Sequence, residues 1–482
     1  MKKKTLFERE KSIRAVMLRS ILSSERPLVV DLDRTLIVRD IFMTLLTQLV
    51  LRKFWLLPQF LLAYVRGGKP RAKSFVADNI TFDLANMPLN VWLIDELKAQ
   101  KKRGREVWLC TGANAKHARV IAEYLGFFDG YFASSDSQNL TGHKKAEFLA
   151  MRFGPGNFDY VGDSHKDIPV AALSNNSFIV AAHTQSPDLP GQLGVLRSVI
   201  RIMRIKHWLK NLLIFTPLVT AHRLVILSDD LSLLALFVAF SLLASGTYVL
   251  NDLFDIESDS VHPEKSKRPL ASGSLSVGAG WALFAGLVAV AFAIALAIST
   301  VALYCSMAYF ALTILYSAKL KAVQILDIIT LATLYTLRIV AGTLVLNLKP
   351  SFWILAFSVF IFFALATVKR LTELQSLTES QMSGRAYIRA DIQVLALLGV
   401  GASYAASLVF AVYINSFEVQ QMYNHPTYLW GAFGVLIYWI AHLWIEVLRG
   451  KVSLDPIEWA AKDLRSILSA VAILFIIALA NF

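Results

Sequence analysis

With 482 residues, the chain is too long for one ordinary domain, and we expect two or three. A hydrophobic fraction of 56% and a mean hydropathy of +0.53 exceed those of soluble proteins and indicate a membrane protein. The net charge of +13 does not indicate nucleic-acid binding, because Lys and Arg cluster at the ends of apolar runs, beside anionic lipid. The only two cysteines, Cys110 and Cys305, imply no disulfide framework.

The first polar motif follows a predicted strand near the N-terminus. Residues 27–37, PLVVDLDRTLI, read as a buried strand that ends at Asp31 and Asp33. Active sites of α/β folds lie where strands open into polar residues at their C-terminal ends. The DxDxT pattern is weak by itself, and a solvated turn explains it equally well.

Three later segments strengthen this interpretation. A second apolar strand ends in Thr111, a helix begins near Lys145, and a third strand ends in Asp163, with Asp167 one helical turn later. These four motifs in this order resemble the phosphatase branch of the haloacid dehalogenase superfamily over residues 27–185. The resemblance implies an α/β (Rossmannoid) domain.

The resemblance also implies how the domain would cleave a phosphomonoester. Asp31 would be the nucleophile that forms an aspartyl-phosphate, and Asp33 the general acid and base. Thr111 and Lys145 would hold the phosphoryl oxygens, with Lys144 as the alternative to Lys145.

Mg²⁺ is the cofactor that this mechanism implies. A carboxylate attacks phosphorus only if a metal and a Lys offset the repulsion between two anions. Asp31 and Asp163 would bind the metal, supported by Asp167. Arg34 departs from the family, in which glycine is common here; its side chain would either restrict access or bind a second anionic group.

The insert between the first two motifs, residues 41–100, is predicted to form a helical cap. Pro58 and the pair Arg52 and Lys53 divide its apolar part into two helices of about 10–12 residues, too short to span a bilayer. Either the cap packs on its own core, or its apolar face lies on the membrane surface.

Beyond the cap domain, the apolar pattern changes to that of a membrane protein. We expect a phosphatase-like domain over residues 1–190, a linker over 191–206 and an all-α membrane domain over 207–482. Nine transmembrane helices are predicted, at 208–222, 231–250, 276–298, 300–316, 323–346, 351–368, 391–414, 427–447 and 465–481.

The distribution of Lys and Arg predicts the orientation. Loops on the side of the N-terminal domain carry twelve of these residues, Lys319 and Lys321 among them, against two on the other side, Arg223 and Lys349. By the positive-inside rule, the N-terminal domain faces the cytosol. We expect the protein to reside in a bacterial inner membrane.

The loop at 251–273, NDLFDIESDSVHPEKSKRPLASG, contains an acidic cluster at the end of a predicted span. Asp252, Asp255 and Asp259 have helical spacing that places them on one face. So many acids at a membrane surface are costly unless a metal compensates them, and carboxylates suit Mg²⁺ bound to substrate phosphates. Four neighbours are candidate substrate ligands: Asn251, Lys265, Lys267 and Arg268.

This NDxxDxxxD run resembles the first Asp-rich motif of the UbiA-type intramembrane prenyltransferases. Nine helices with cytosolic active-site loops also fit that family, over about residues 200–482. The stretch RIKHWLKNLLIF, which contains Lys210, fits it too.

The second acidic motif of that family is replaced. Members that prenylate aromatic rings usually carry another DxxxD pair, but this loop reads ATVKRLTEL, with Lys369, Arg370 and Glu373. Upstream, Asp327 and Arg338 lie eleven residues apart on one helical face. An intramembrane Arg is a functional candidate, although a structural ion pair between these two residues is the alternative.

These departures are similar to the polyprenyl-phosphate phosphoribosyltransferase branch, which moves 5-phosphoribose from phosphoribosyl pyrophosphate to a polyprenyl phosphate. One Mg²⁺ site and many cations suit substrates that carry several phosphates. We therefore expect a bifunctional enzyme whose phosphatase domain removes the 5-phosphate from the lipid product. An aromatic prenyltransferase with an accessory phosphatase is the alternative, and a transporter is disfavoured because the acids lie at one membrane face.

Overall fold

The computed structural model describes residues 23–81, 87–136, 138–163, 165–180, 192–220, 227–262, 264–376, 386–452 and 455–481. The chain divides into two compact units. The first comprises Met1–Met203 and Tyr248–Phe284, and the second comprises Arg204–Thr247 and Ala285–Phe482. The acidic loop at 251–273 therefore belongs to the same unit as the N-terminal domain.

A parallel five-stranded sheet forms the centre of the first unit. Its strands run in the order β3-β2-β1-β4-β5, with bounds β1 Leu28–Val30, β2 Val107–Asn114, β3 Gly130–Ser134, β4 Asp159–Gly162 and β5 Ser177–Ile179. Side chains of β1 alternate between two hydrophobic clusters, with Leu28 and Val30 in one and Val29 in the other. Such burial on both faces is typical of parallel sheets, and it leaves the carboxyl ends of the strands for polar residues.

Helices surround this sheet. They are α1 Ile41–Arg52, α2 Leu57–Asn79, α3 Val91–Lys102, α4 Ala115–Leu125, α5 His143–Phe153, α6 Ile168–Leu173 and α7 Gln192–Met203. The insert that was expected to form a helical cap contains α1 and α2. α2 consists of two helical segments, 57–67 and 69–79, joined at Gly68, whose φ of +63° is not helical, and each segment agrees with the expected length of about 10–12 residues. α1 and α2 meet at a bend of 106°. Phe54, Trp55 and Val65 of the cap are 65%, 59% and 80% exposed, so its apolar surface is not fully used by its own core.

The remaining helices include those of the membrane domain. They are α8 Thr216–Thr220, α9 Leu227–Phe254, α10 Ile256–Val261, α11 Val277–Ile298, α12 Thr300–Ala318, α13 Leu326–Val345, α14 Phe352–Gln375, α15 Ile392–Ile414, α16 Phe417–Met422, α17 Leu429–Leu448, α18 Pro456–Ala460 and α19 Leu464–Asn481. In the described part of the chain, eight helices are long and apolar enough to cross a bilayer, and the bent pair α1 and α2 would make nine. The protein is a multi-pass membrane protein.

The first expected span, 208–222, is not a long helix in the described residues. Ile205–Phe215 forms a 3-10 helix, α8 follows it, and residues 221 and 222 lie outside the described residues. This segment packs closely on α13, because a Cβ at Gly342 would lie 2.1 Å from the carbonyl oxygen of Ile214. Sequence hydropathy does not distinguish such a packed segment from a membrane span.

Candidate functional site

Three acidic side chains meet at the carboxyl edge of the sheet. Asp31 directly follows β1, Asp163 directly follows β4, and Asp167 lies four residues further on. One carboxylate oxygen from each lies within 4.8 Å of the others. Neighbouring parallel strands bring these residues together, and hard oxygen ligands in such a cluster suit Mg²⁺.

Lys145, in the first turn of α5, balances part of this negative charge. Its Nζ donates to Asp31 Oδ1 at 2.7 Å and to the Tyr160 hydroxyl at 2.6 Å, and Tyr160 donates to Asp167 at 2.8 Å. Burial would lower the pKa of Lys145, but the carboxylates of Asp31 and Asp167 raise it above its ordinary value. Lys145 therefore stays charged. Tyr160 was missed from the sequence because it reads as an ordinary apolar strand residue.

Asp33 occupies a position suited to a general acid. Its Oδ1 accepts a hydrogen bond from the backbone N–H of Ile41 at 2.8 Å. Burial, followed by the charges of Asp40 and Asp31, raises the pKa of Asp33 well above its usual value. A carboxyl group with a raised pKa keeps the proton that a leaving alkoxide requires.

The phosphate-binding candidate Thr111 is fully buried in β2, where its hydroxyl accepts from the N–H of Ala113 at 3.0 Å. Lys73 of the cap helix α2 reaches the same strand and donates to the carbonyl of Gly112 at 2.5 Å. Its charge also interacts with Asp33. No motif spacing marked Lys73, since it lies in the variable helical insert.

The acidic loop forms a separate cluster in the first unit. Asp252 and Asp259 are each 2% exposed and share Arg268, whose Nη1 lies 3.2 Å from Asp252 Oδ1 and 2.7 Å from Asp259 Oδ2. The expectation that Asp255 shares one helical face with them stays a prediction; its charge acts on Asp259. α9 ends at Phe254 and α10 begins at Ile256, so the helix is interrupted at Asp255. Asp often competes with helical hydrogen bonding through its own side chain.

The other candidates in this loop are less enclosed. Lys265 and Lys267 are exposed, and Lys267 pairs with Glu264 at 3.0 Å. Asn251 lies in the last turn of α9, where its carbonyl accepts the N–H of Asp255. Burial raises the pKa of Asp259, although Arg268 opposes this effect. Arg268 thus supplies the positive charge that these carboxylates require here.

Arg39, which no sequence motif marked, links the acidic loop to the loop that contains Asp33. It follows Asp33 by six residues and donates to the carbonyls of Ile256 at 3.1 Å and Ala271 at 2.7 Å, and to the hydroxyl of Ser260. Burial lowers the pKa of Arg39 to about 10, so it remains charged.

A hydrogen bond also joins the neighbouring helices α11 and α1, from Trp281 Nε1 to Thr47 Oγ1 at 2.9 Å. Gln48 also donates to Glu257. The loop that contains Asp33 and the loop that contains Asp259 are therefore in direct contact.

In the second unit, basic side chains gather near Lys210. Lys210 forms an ion pair with Asp455, and the charges of both interact with Lys369 and His207. Burial and the charge of Lys210 lower the pKa of His207 to about 4, so its ring is neutral at pH 7. This cluster has more basic than acidic groups and suits anionic ligands.

Arg338 lies in the middle of α13 and is 6% exposed. It donates to Asn211 Oδ1 at 2.7 Å and to the Tyr309 hydroxyl at 2.9 Å, and its guanidinium lies 4.9 Å from the Tyr309 ring centroid. The ion pair considered between Arg338 and Asp327 is absent from the described contacts.

Asp327 pairs instead with Arg370 of α14, at 2.5 Å, and accepts from the Tyr387 hydroxyl at 2.6 Å. Arg370 also binds Glu373 and Tyr316 and is fully buried. The guanidinium is thus occupied by protein partners, which argues against Arg370 and Glu373 as phosphate ligands. Lys319 and Lys321 lie in the turn between α12, which contains Tyr316, and α13, which contains Asp327.

A family model for the UbiA prenyltransferase family matches residues 213–453. The chain is 32% identical to the uncharacterized protein y4nM of Sinorhizobium fredii over 91% of this chain and 87% of that one. It is 32% identical to the decaprenyl-phosphate phosphoribosyltransferase of Corynebacterium glutamicum, over 36% of this chain and 54% of that protein. A solved UbiA homolog from Archaeoglobus fulgidus, bound to GPP and Mg²⁺, is 16% identical, with a TM-score of 0.45 over 58% of this chain and 99% of that one.

Proposed function

The chain belongs to the UbiA prenyltransferase family, and we propose that it is a bifunctional enzyme of lipid-linked pentose synthesis. The membrane domain would transfer 5-phosphoribose from phosphoribosyl pyrophosphate to a polyprenyl phosphate. The N-terminal domain, a phosphatase of the haloacid dehalogenase type, would then remove the 5-phosphate.

The similarity to a decaprenyl-phosphate phosphoribosyltransferase and the excess of basic groups support the transfer step. Lys210, Lys369 and Arg338 would bind the phosphates of donor and acceptor. An oxygen of the lipid phosphate would attack C1 of the ribose as the bond from C1 to pyrophosphate breaks. Because the attacking oxygen is already anionic, the reaction requires no general base, and catalysis rests on positioning and charge stabilisation. An aromatic acceptor would not require so many basic groups.

The acidic loop is the proposed Mg²⁺ site of the transferase. Asp252 and Asp259 are buried carboxylates that depend on the positive charge of Arg268, and this requirement for a positive partner supports the proposal of a metal here. Asp255 is the third candidate ligand. When bound, Mg²⁺ would neutralise the diphosphate of the donor. Arg268, released from the carboxylates, would be available for the substrate, beside Asn251, Lys265 and Lys267.

The phosphatase step would use the residues at the carboxyl edge of the sheet. Asp31 would attack the 5-phosphorus, and Asp33 would give its proton to the departing ribose oxygen. Water would then hydrolyse the aspartyl-phosphate. Lys145 and Thr111 would hold the phosphoryl oxygens, and Asp163 and Asp167 would complete a Mg²⁺ site with Asp31.

The observation that carries the coupling of the two activities is the contact made by Arg39. It joins the loop that follows Asp33 to the loop that contains Asp259. Product released at the acidic loop would have a short path to the phosphatase, and covalent linkage raises its effective concentration. The distribution of Lys and Arg supports a cytosolic position for both sites in a bacterial inner membrane.

The test is incubation of the purified protein with Mg²⁺, polyprenyl phosphate and phosphoribosyl pyrophosphate, followed by mass spectrometry of the lipid. Wild type should yield the dephosphorylated pentosyl lipid, and Asp31→Asn should accumulate the form that keeps its 5-phosphate. Identical product mixtures would disprove the coupling. Prenylation of 4-hydroxybenzoate without phosphoribosyl transfer would favour an aromatic prenyltransferase instead.

A further inference from the structure

A cavity of about 260 Å³ lies beside the phosphatase-like site, within the first unit. One wall is the loop after Asp33, with Arg34, Arg39 and Asp40, and the other is residues 273–279 at the start of α11. Gly273 permits the close approach of the two walls: it has φ +74°, and a Cβ there would lie 2.8 Å from Val38 Cγ1.

The polar groups of the cavity favour an anion. Arg34 and Arg39 come from one turn, in which the N–H of Arg34 donates to the carbonyl of Arg39 at 3.3 Å. Arg39 is 6% exposed, and its Nε has no hydrogen-bond partner in the described part of the chain. Ser274, Ser276 and the amino end of the 22-residue helix α11 face them across the cavity, and a helix amino end attracts anions.

Asp40 is the acidic residue of the lining, and it caps α1 by accepting the N–H of Met43 at 2.9 Å. The lining therefore combines the guanidinium of Arg34, the Nε–H of Arg39 and a helix amino end with one carboxylate.

The backbone of Arg34 is a second indication. It has φ +59°, a conformation that favours glycine. A long basic side chain at this strained position, directly after Asp33, is consistent with selection for a function of the guanidinium.

We propose that this cavity binds the phosphodiester that joins the sugar to the lipid, while the 5-phosphate monoester of the same sugar lies at Asp31. This inference rests on the proposed phosphatase activity and specifies how the phosphatase recognises its substrate. The cavity is smaller than the roughly 300–1,000 Å³ of pockets for drug-sized ligands, which fits a small polar group and leaves the polyprenyl chain outside. Arg34, together with the Nε–H of Arg39, would thus select sugars with two phosphates.

The experiment compares two soluble substrates of the full-length protein in neutral detergent. Ribose 1,5-bisphosphate carries the second phosphate, and ribose 5-phosphate lacks it. We expect kcat/KM for release of the 5-phosphate to be at least tenfold higher for the bisphosphate, mainly through KM. Arg34→Gly, which also relaxes the backbone, should bring the ratio close to one, and Arg34→Lys should restore part of it. Arg119→Gln, which removes an exposed arginine of α4, should keep the ratio.

Binding of both sugars to the Asp31→Asn variant, measured by calorimetry, separates this inference from the phosphatase proposal. If wild type hydrolyses neither sugar, the phosphatase proposal fails, while tighter binding of the bisphosphate that depends on Arg34 would still support the site. Equal affinity for both sugars in the presence of Arg34 overturns the inference. Arg34-dependent binding of phosphatidylglycerol vesicles, with no preference between the sugars, would overturn it in favour of a membrane headgroup.

Discussion

The sheet-edge cluster and the cluster around Lys210 have opposite charge balance. At the sheet edge, Asp31, Asp33, Asp163 and Asp167 outnumber the ammonium groups of Lys145 and Lys73. Around Lys210, by contrast, Lys369 adds to its positive charge, and Arg338 lies against the ring of Tyr335, whose hydroxyl bonds to Lys210. Asp455 and Glu373 are the acidic groups that act on Lys369 in the described residues. The sheet-edge cluster would repel a phosphate unless a cation is bound first, whereas the positive charge of the cluster around Lys210 attracts anions.

This difference matches the two reactions that we propose. A phosphatase that uses a carboxylate nucleophile has to overcome repulsion between two anions, and a divalent metal does so. A transferase whose nucleophile and leaving group are both phosphates has to hold several negative charges close together. Like the sheet-edge cluster, the acidic loop has an excess of carboxylates, although we assign it to the transferase. The substitutions below test these assignments.

The largest effect is expected at the acidic loop. Asp252→Asn should lower phosphoribosyl transfer by a thousandfold or more, because it removes a charged ligand of the proposed metal. Hydrolysis of a soluble phosphomonoester should be unchanged. Asp230→Asn, at the other end of α9, is the matched control for transfer. Transfer at the wild-type rate by Asp252→Asn would show that the metal site is assigned wrongly.

Next in size is an effect on stability. Arg370→Gln should destabilise the membrane domain by about 3–5 kcal/mol, since it removes the guanidinium that balances the buried carboxylate of Asp327 and the partly buried carboxylate of Glu373. The measurement is the midpoint of thermal unfolding in detergent, with the exposed Arg389→Gln as control. An unchanged midpoint together with lost transfer would instead indicate that Arg370 binds substrate.

A smaller effect on catalysis is expected at Lys369. Lys369→Ala should lower transfer by tens-fold or more, because loss of one charge-assisted partner from a partly desolvated site costs about 2–5 kcal/mol. The same substitution at the exposed Lys349 should have no effect. A Lys369→Ala protein that transfers normally would remove this residue from the proposed phosphate site.

The two clusters also differ in how far the sequence predicts them. The resemblance to the haloacid dehalogenase superfamily implied that Asp31 and Asp163 hold one metal. In the fold each directly follows a strand of a parallel sheet, and such strands end at the same edge. Asp327 and Arg338 do share a helix, but helical spacing indicates only which face a residue occupies. Which residue of a neighbouring helix faces it depends on packing, so the partner of Asp327, Arg370, was not predictable from spacing.

Arg39 and Lys73 were missed for a related reason. Both lie in the segment after the first motif, where no repeated spacing marks function, and their partners are distant in the sequence: Ala271 for Arg39 and Gly112 for Lys73. Contacts of this kind depend on tertiary structure alone.

The smallest effect that we expect is a change in the pKa of one histidine in each region, His117 near the sheet and His207 near Lys210. Burial lowers the pKa of both His117 and His207 to about 4. Beside His117, the carboxylate of Asp78 opposes this shift, whereas beside His207 the charge of Lys210 adds to it. Asp78→Asn should therefore lower the pKa of His117, and Lys210→Met should raise that of His207.

Because both histidines have a lower pKa in the folded protein than the unfolded value of about 6.5, the unfolded state binds more protons between pH 6.5 and 4. Each histidine therefore contributes stability that is present above pH 6.5 and is lost as the pH falls through this range. Hydrogen–deuterium exchange at the imidazole C2 position, followed by mass spectrometry against pH, measures each pKa separately. Shifts of the same sign in the two variants would contradict the opposite charge balance, because each substitution removes the charge that its own region has in excess.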